Sequence, residues 1–315
     1  MSKMTIVGCG VVGSSWALVF ARAGFDVSIY DASTTAQEDA LAFVRDALKG
    51  SASKELAAAE TVEATLGRLT LAVSLEDALA GSSYVQESAP ERVELKRELY
   101  KRLDTIAAPD TILASSTSGL PASSFTEDLP NAHRCLVVHP INPPHLIPLV
   151  EIVPAPWTTS SVVDRAADIM RQVGQSPIKL TREINGFVVN RLQSAILGEA
   201  FRLVQDGICN STDVDKAVSE GLGLRWFFMG PFETIDLNAQ NGVAEYCANL
   251  GAMYHGLALE QADPRKWDEM LVRRIEKERR TTTPVDQLAA RRAWRDRYLA
   301  DLISTKRRLN AEQSE

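Results

Sequence analysis

Hydrophobic residues along the first ~180 positions come in short β-rich runs separated by stretches with helical spacing, the alternation of a mostly parallel sheet covered by helices. The runs predict strands at Met4–Val7, Val27–Tyr30, Leu69–Ala72, Tyr84–Gln86, Thr111–Ala114, Cys135–Val138, Leu149–Val153 and Ile178–Leu180. Val12–Ala23, Ala36–Lys49, Leu95–Ile106 and Ser161–Val173 carry the helical period, and Ser51–Leu66 reads as a second helix of a hairpin projecting from the sheet. After Arg182 the strand signal stops. A run from Gly186 to Gln205, apolar all round, predicts a helix buried between partners. Further helices are expected at Ser211–Glu220, with Ser211 as its cap, at Phe232–Leu250, Trp267–Arg279 and Val285–Arg308. The expected class is therefore α/β: a doubly wound, mostly parallel sheet over residues 1–183, then an all-helical C-terminal domain over 184–315.

Composition narrows the partners. The net charge of −7 on 315 residues argues against nucleic acid or an anionic membrane, both of which demand a basic face. Cys9, Cys135, Cys209 and Cys247 are scattered, with no pairing that signals a disulfide framework or a metal site. The chain runs directly into strand pattern with no long apolar segment, so a cytoplasmic location is expected.

Gly8, Gly10 and Gly13, with Val11 and Val12 opening a helix, follow the first strand, and Asp31 ends the second. That order is the Rossmann-type dinucleotide fingerprint: the helix start faces a pyrophosphate and the carboxylate accepts the ribose hydroxyls. A carboxylate with no Arg or Lys over 32–37 selects NAD over NADP. The rival reading is a tight glycine turn without a ligand.

The stretch from Val138 to Glu151 places His139 and Glu151 at opposite ends of a loop stiffened by Pro143, Pro144 and Pro148, and a histidine held by a carboxylate is a general base. Asn142 of that loop is a candidate substrate contact. His133, His145 and His255 lack a comparable partner. The Ser/Thr run Ser115–Ser118 follows a strand and offers either a substrate hydroxyl or a turn with a helix cap. Asn190 and Arg191 fall in the helix expected to be buried, where they need polar partners. Arg225, in a glycine-bounded aromatic run, pays for desolvation unless it meets an anion, which leaves a salt bridge and a substrate carboxylate as equal readings.

Taken in order, Gly8–Gly13, Asp31, Ser115–Leu120, His139-Pro-x-Asn142-Pro, Leu149-Val-Glu151, Gly186–Arg191 and Met229-Gly-Pro-Phe-Glu233 resemble the 3-hydroxyacyl-CoA dehydrogenase family over nearly the whole chain. The stretches from Ser219 and Glu233 are most similar to its L-gulonate 3-dehydrogenase and lambda-crystallin branch. The resemblance implies catalytic roles for Ser118, His139, Glu151 and Asn190, cofactor contacts from Glu87, Lys96 and Ser116, and a homodimer. It implies NAD-dependent oxidation of the 3-hydroxyl of a small L-3-hydroxy acid, L-gulonate first. (S)-3-hydroxybutyryl-CoA, with Lys49, Lys54 and Arg68 as candidate phosphate contacts, is the main alternative. L-carnitine oxidation and a non-catalytic, crystallin-like NAD-binding protein are lesser ones. The Leu224–Phe228 segment departs from the acyl-CoA pattern and speaks against a thioester.

Overall fold

The computed structural model describes residues 3–49 and 62–312. The first helix of the expected hairpin is Thr34–Lys49, whereas its second, Ser51–Leu66, lies outside the described residues except for a short helix, Val62–Leu66, and Lys54 lies outside them altogether. The described residues up to Val189, joined by those from Arg295 onward, make one compact unit, and Asn190–Trp294 make the other. The C-terminal residues thus group with the nucleotide-type unit instead of closing a second, consecutive domain.

The first unit is built on an eight-stranded sheet: β1 Lys3–Val7, β2 Asp26–Tyr30, β3 Leu69–Leu71, β4 Ser82–Glu87, β5 Ile112–Ser115, β6 Cys135–Pro140, β7 Leu149–Pro154 and β8 Ser176–Lys179. Their order is β3-β2-β1-β4-β5-β6-β7-β8. All neighbours run parallel except β6 and β7. Both faces of the central strands are covered, which is why β1, β5, β6 and β7 read as largely apolar runs. Ile112, Ala114, Leu136 and Val138 enter a core with Trp16 and Phe20, whereas the alternating Leu113, Val137 and Val153 enter a second core with Tyr100 and Phe125. The strand order reverses between β1 and β4, so a crevice opens beyond their carboxyl ends.

The second unit is helical throughout its described residues, and several elements differ from expectation. The first helix is Val189–Gln205, and its residues are exposed or half-buried, with Val204 its buried residue, instead of buried all round. The cap of Ser211–Lys216 is Asn210, whose Oδ1 accepts the Asp213 N–H at 3.0 Å, not Ser211. The expected helix 232–250 is two helices, Pro231–Leu237 and Val243–Glu260. They are broken where Gly242 takes φ +77° and Asp236 accepts the Val243 N–H at 3.0 Å. No described helix is long and apolar enough to cross a membrane.

Candidate active site

The glycine turn closes in a way that only glycine permits. A Cβ on Gly13 would stand 1.9 Å from the Gly8 carbonyl oxygen, and Gly8, at φ +96°, packs so tightly on the next loop that its Cβ would meet Ser88 backbone at 2.8 Å. At Gly10 the space is open. The helix Val11–Arg22 has no side-chain cap, so its first N–H groups are left for an anion. Asp31, just past β2, accepts the Cys9 N–H at 2.8 Å and the Ser33 N–H at 2.9 Å, which fixes the carboxylate beside the turn. A cavity of about 820 Å³ lies here, lined by Gly8, Gly10, Asp31, Ser88, Leu95 and Leu99 among others. The uncapped helix start, the open approach at Gly10 and the anchored Asp31 fit an NAD pyrophosphate and ribose. Cys9 is buried in the turn, where burial, then the Asp31 charge, pushes its thiol up to about 12, so it stays protonated at neutral pH.

His139 and Glu151 sit within strands and not in the loop between them. Because β7 runs back along β6, the two are cross-strand partners on one face, and His139 Nδ1 lies 2.7 Å from Glu151 Oε2. Glu151 is wholly buried. Its other oxygen accepts the Val188 and Val189 N–H groups at 2.7 and 3.1 Å, delivered by a turn in which Gly186 (φ +76°) and Phe187 (φ +49°) both take left-handed backbone. A left-handed Phe costs about 1–3 kcal/mol and persists because its surroundings hold it. The Phe187 ring is buried 5.5 Å from the imidazole. Burial alone would raise the Glu151 pKa, but the His139 hydrogen bond and the two backbone donors outweigh it and bring the group below its ordinary value. A charged carboxylate at Nδ1 keeps the proton there, so Nε2 carries the lone pair of a base.

The sequence did not single out Phe187, nor Glu91. Glu91 accepts the Thr117 hydroxyl and the backbone N–H groups of Ser118 (2.9 Å) and Gly119 (3.2 Å), and so shapes the turn that carries Ser118. Ser118 is exposed at the end of β5. Ser116 lies beneath it, sharing a hydrogen bond with Ser88 Oγ at 2.9 Å and accepting one from Gln86 at 2.7 Å, so it holds the cofactor-side loop from below. Glu87 and Lys96 pair with each other at 2.7 Å, both wholly buried. In this arrangement neither side chain faces the cavity; they hold Ala89, whose N–H goes to Glu87 at 2.6 Å and whose carbonyl accepts from Lys96 at 3.3 Å.

Asn142 is exposed on the loop. Asn190 opens the helix of the second unit, half-buried, and Arg191 is exposed, so neither is the fully buried group expected. Arg225 is likewise exposed, on the short helix Gly223–Trp226, and bears no desolvation cost within the chain. Its aromatic neighbours Trp226 and Phe228 are exposed as well.

A family model for the NAD-binding domain of 3-hydroxyacyl-CoA dehydrogenase matches residues 3–184, and one for the C-terminal domain of the same family matches 186–286. The chain belongs to the 3-hydroxyacyl-CoA dehydrogenase family. It is thus an NAD-dependent oxidoreductase acting on CH–OH groups. The lambda-crystallin homolog of Bos taurus is 41% identical over 313 residues, spanning 97% of this dehydrogenase and 96% of the relative. The L-carnitine dehydrogenase of Streptomyces griseus subsp. griseus is 39% identical over 252 residues, spanning 79% and 73% of the two chains. Among solved structures, 5-formyl-3-hydroxy-2-methylpyridine 4-carboxylic acid 5-dehydrogenase, an NAD+-dependent dismutase, superposes with a TM-score of 0.83 at 25% identity, covering 98% of this chain and 99% of that one.

Proposed function

We propose that this dehydrogenase oxidises the 3-hydroxyl of a small L-3-hydroxy acid, with L-gulonate, giving 3-dehydro-L-gulonate, as the leading substrate. The observation that carries the chemistry is the hydrogen bond from His139 Nδ1 to a buried, doubly anchored Glu151 at the carboxyl edge of the sheet. His139 Nε2 takes the hydroxyl proton, and Glu151 holds the ring and stabilises the imidazolium that forms. NAD, when bound, supplies the hydride acceptor. Ser118 and Asn190 hydrogen-bond the substrate oxygen and keep the reacting carbon in one orientation.

Support for a free acid comes from likeness to lambda-crystallin homologs over nearly the whole chain and from Arg225, a guanidinium exposed within a short apolar helix. A guanidinium matches a carboxylate through two parallel hydrogen bonds. Arg225→Met is expected to raise the Michaelis constant for L-gulonate by about tenfold or more, the loss of one such charged contact, while leaving that for a CoA thioester little changed. Steady-state kinetics on both substrates checks this, and equal effects on the two would remove Arg225 from the substrate site. Likeness to 3-hydroxyacyl-CoA and L-carnitine dehydrogenases makes (S)-3-hydroxybutyryl-CoA and L-carnitine the comparison substrates.

A further inference from the structure

The family's C-terminal domain model ends at residue 286, but the chain continues into a helix, Leu288–Glu312, whose residues from Arg295 group with the NAD-binding unit. One face of this segment is drawn inward: Ala300 is buried, and Asp296, Leu299 and Ile303 are half-buried, while Tyr298 and Leu302 on the other side are exposed. The inward face meets the loop between His139 and Glu151. Leu146 of that loop is only 5% exposed, yet it belongs to neither sheet core; its apolar cover among the described residues is Ala300, Leu299 and Ile303.

The same loop is held from its inner side. Ile141 N–H reaches the Leu149 carbonyl at 3.3 Å and closes its base, and Gln175 Nε2 donates to the Pro144 carbonyl at 3.2 Å. His145 Nδ1 lies 3.1 Å from Ser15 Oγ, and the Ser15 hydroxyl is donated to the Val11 carbonyl, so the imidazole N–H is the donor. Burial, with Arg22 and Arg295 adding and Asp296 opposing, brings His145 down to about 4, so the ring is neutral at neutral pH. The loop is therefore tied through His145 to the helix Val11–Arg22 that opens at the glycine turn, while the apolar cover of its Leu146 among the described residues comes from the C-terminal helix.

We propose that the segment from Arg295 is a strap whose Leu299, Ala300 and Ile303 press on Leu146 and so position the loop between His139 and Glu151, Asn142 included, for catalysis. These are positioning residues: none touches the reacting atoms. A strap of this kind acts on substrate turnover and leaves the glycine turn and its cavity unaltered, because no strap residue lines that cavity.

The test uses the full chain carrying Ala300→Glu, which puts a charge against Leu146. Backbone amide exchange over 141–148 is expected to rise by about tenfold or more as the loop opens locally. Catalytic efficiency on the hydroxy acid should fall by about tenfold or more from the displaced geometry, with NADH affinity nearly unchanged. Exchange and efficiency both close to those of the parent in a variant that binds NADH would overturn the proposal. Should Ala300→Glu not fold, Leu146→Ala decides: its loss of efficiency is expected to be recovered in part by adding Ala300→Leu, which refills the contact, and no recovery would contradict the strap. The inference rests on His139 and Glu151 being the catalytic dyad. Near-normal turnover of His139→Ala would remove that reading, and the exchange result of Ala300→Glu reports on the strap contact separately, so the two failures are distinguishable.

Discussion

Replacing His139 with alanine lowers turnover by at least ~10²-fold, the contribution of a positioned general base, and leaves NAD affinity largely intact because His139 is not among the residues lining the cofactor cavity. The sharper variant is Glu151→Gln. Two backbone N–H groups, from Val188 and Val189, demand an oxygen at the Oε1 position. The amide NH2 of glutamine must then take the Oε2 position, 2.7 Å from His139 Nδ1, where it offers a proton instead of accepting one. The imidazole is forced into the tautomer that carries its proton on Nε2, the atom that has to be empty. In the Ser-His-Asp proteases an Asp-to-Asn change with this consequence costs about 10⁴ in turnover, and a loss on the order of 10³–10⁴ is expected here. Turnover and NADH binding measured on the same preparations check both variants. A Glu151→Gln enzyme with near-parental turnover would show that the tautomer of His139 is immaterial and that Nε2 is not the base.

Lys96→Met is expected to destabilise the first unit by about 3–5 kcal/mol, because it strands a wholly buried Glu87 without its cation. Glu87 would keep the Ser115 hydroxyl at 2.5 Å and the Ala89 N–H, but these are two dipoles in place of a full charge. The double variant Glu87→Gln with Lys96→Met should recover much of that loss, since a neutral pair no longer carries the cost of an uncompensated charge. The ion pair also fixes the segment Ser88–Pro90 that walls the cofactor cavity, so Lys96→Met should weaken NAD binding beyond its effect on stability. Denaturant titration and cofactor titration of the single and double variants separate the two effects. A single variant as stable as the parent would mean that Glu87 finds other compensation.

All eight strands are legible in the sequence: the central ones, such as β5 and β6, are buried on both faces and are largely apolar, while the edge strands β3 and β8 are short, partly exposed segments that the flanking polar residues delimit. The dinucleotide turn is legible for a different reason: Gly8 and Gly13 are required by close approach, and no other residue substitutes without a signal. The pairing of His139 with Glu151 was readable from the proline-rich stretch between them, but the device that achieves it was not, since the antiparallel return of β7 depends on sheet topology and leaves no local mark. The anchoring of Glu151 was hidden for the same reason. Val188 and Val189 contribute only backbone N–H groups, and the left-handed Phe187 that aims them is a residue type that ordinarily avoids that conformation. The break between Pro231–Leu237 and Val243–Glu260 carried a readable signal, Asn241-Gly242, that the apolar spacing on either side obscured. The exposure of Arg225 and of the helix Val189–Gln205 ran against their apolar neighbourhoods. Apolar spacing marks a face that prefers burial and does not say whether the same chain buries it. The return of the C-terminal helix was least visible, because Leu299, Ala300 and Ile303 form a short apolar patch on an otherwise charged helix.

The most direct test is the initial rate of NADH formation by the purified protein with NAD, comparing catalytic efficiency on L-gulonate with that on (S)-3-hydroxybutyryl-CoA in the same buffer. A strong preference for L-gulonate is the predicted result. A preference for the thioester, or turnover of neither, would contradict the small-acid account.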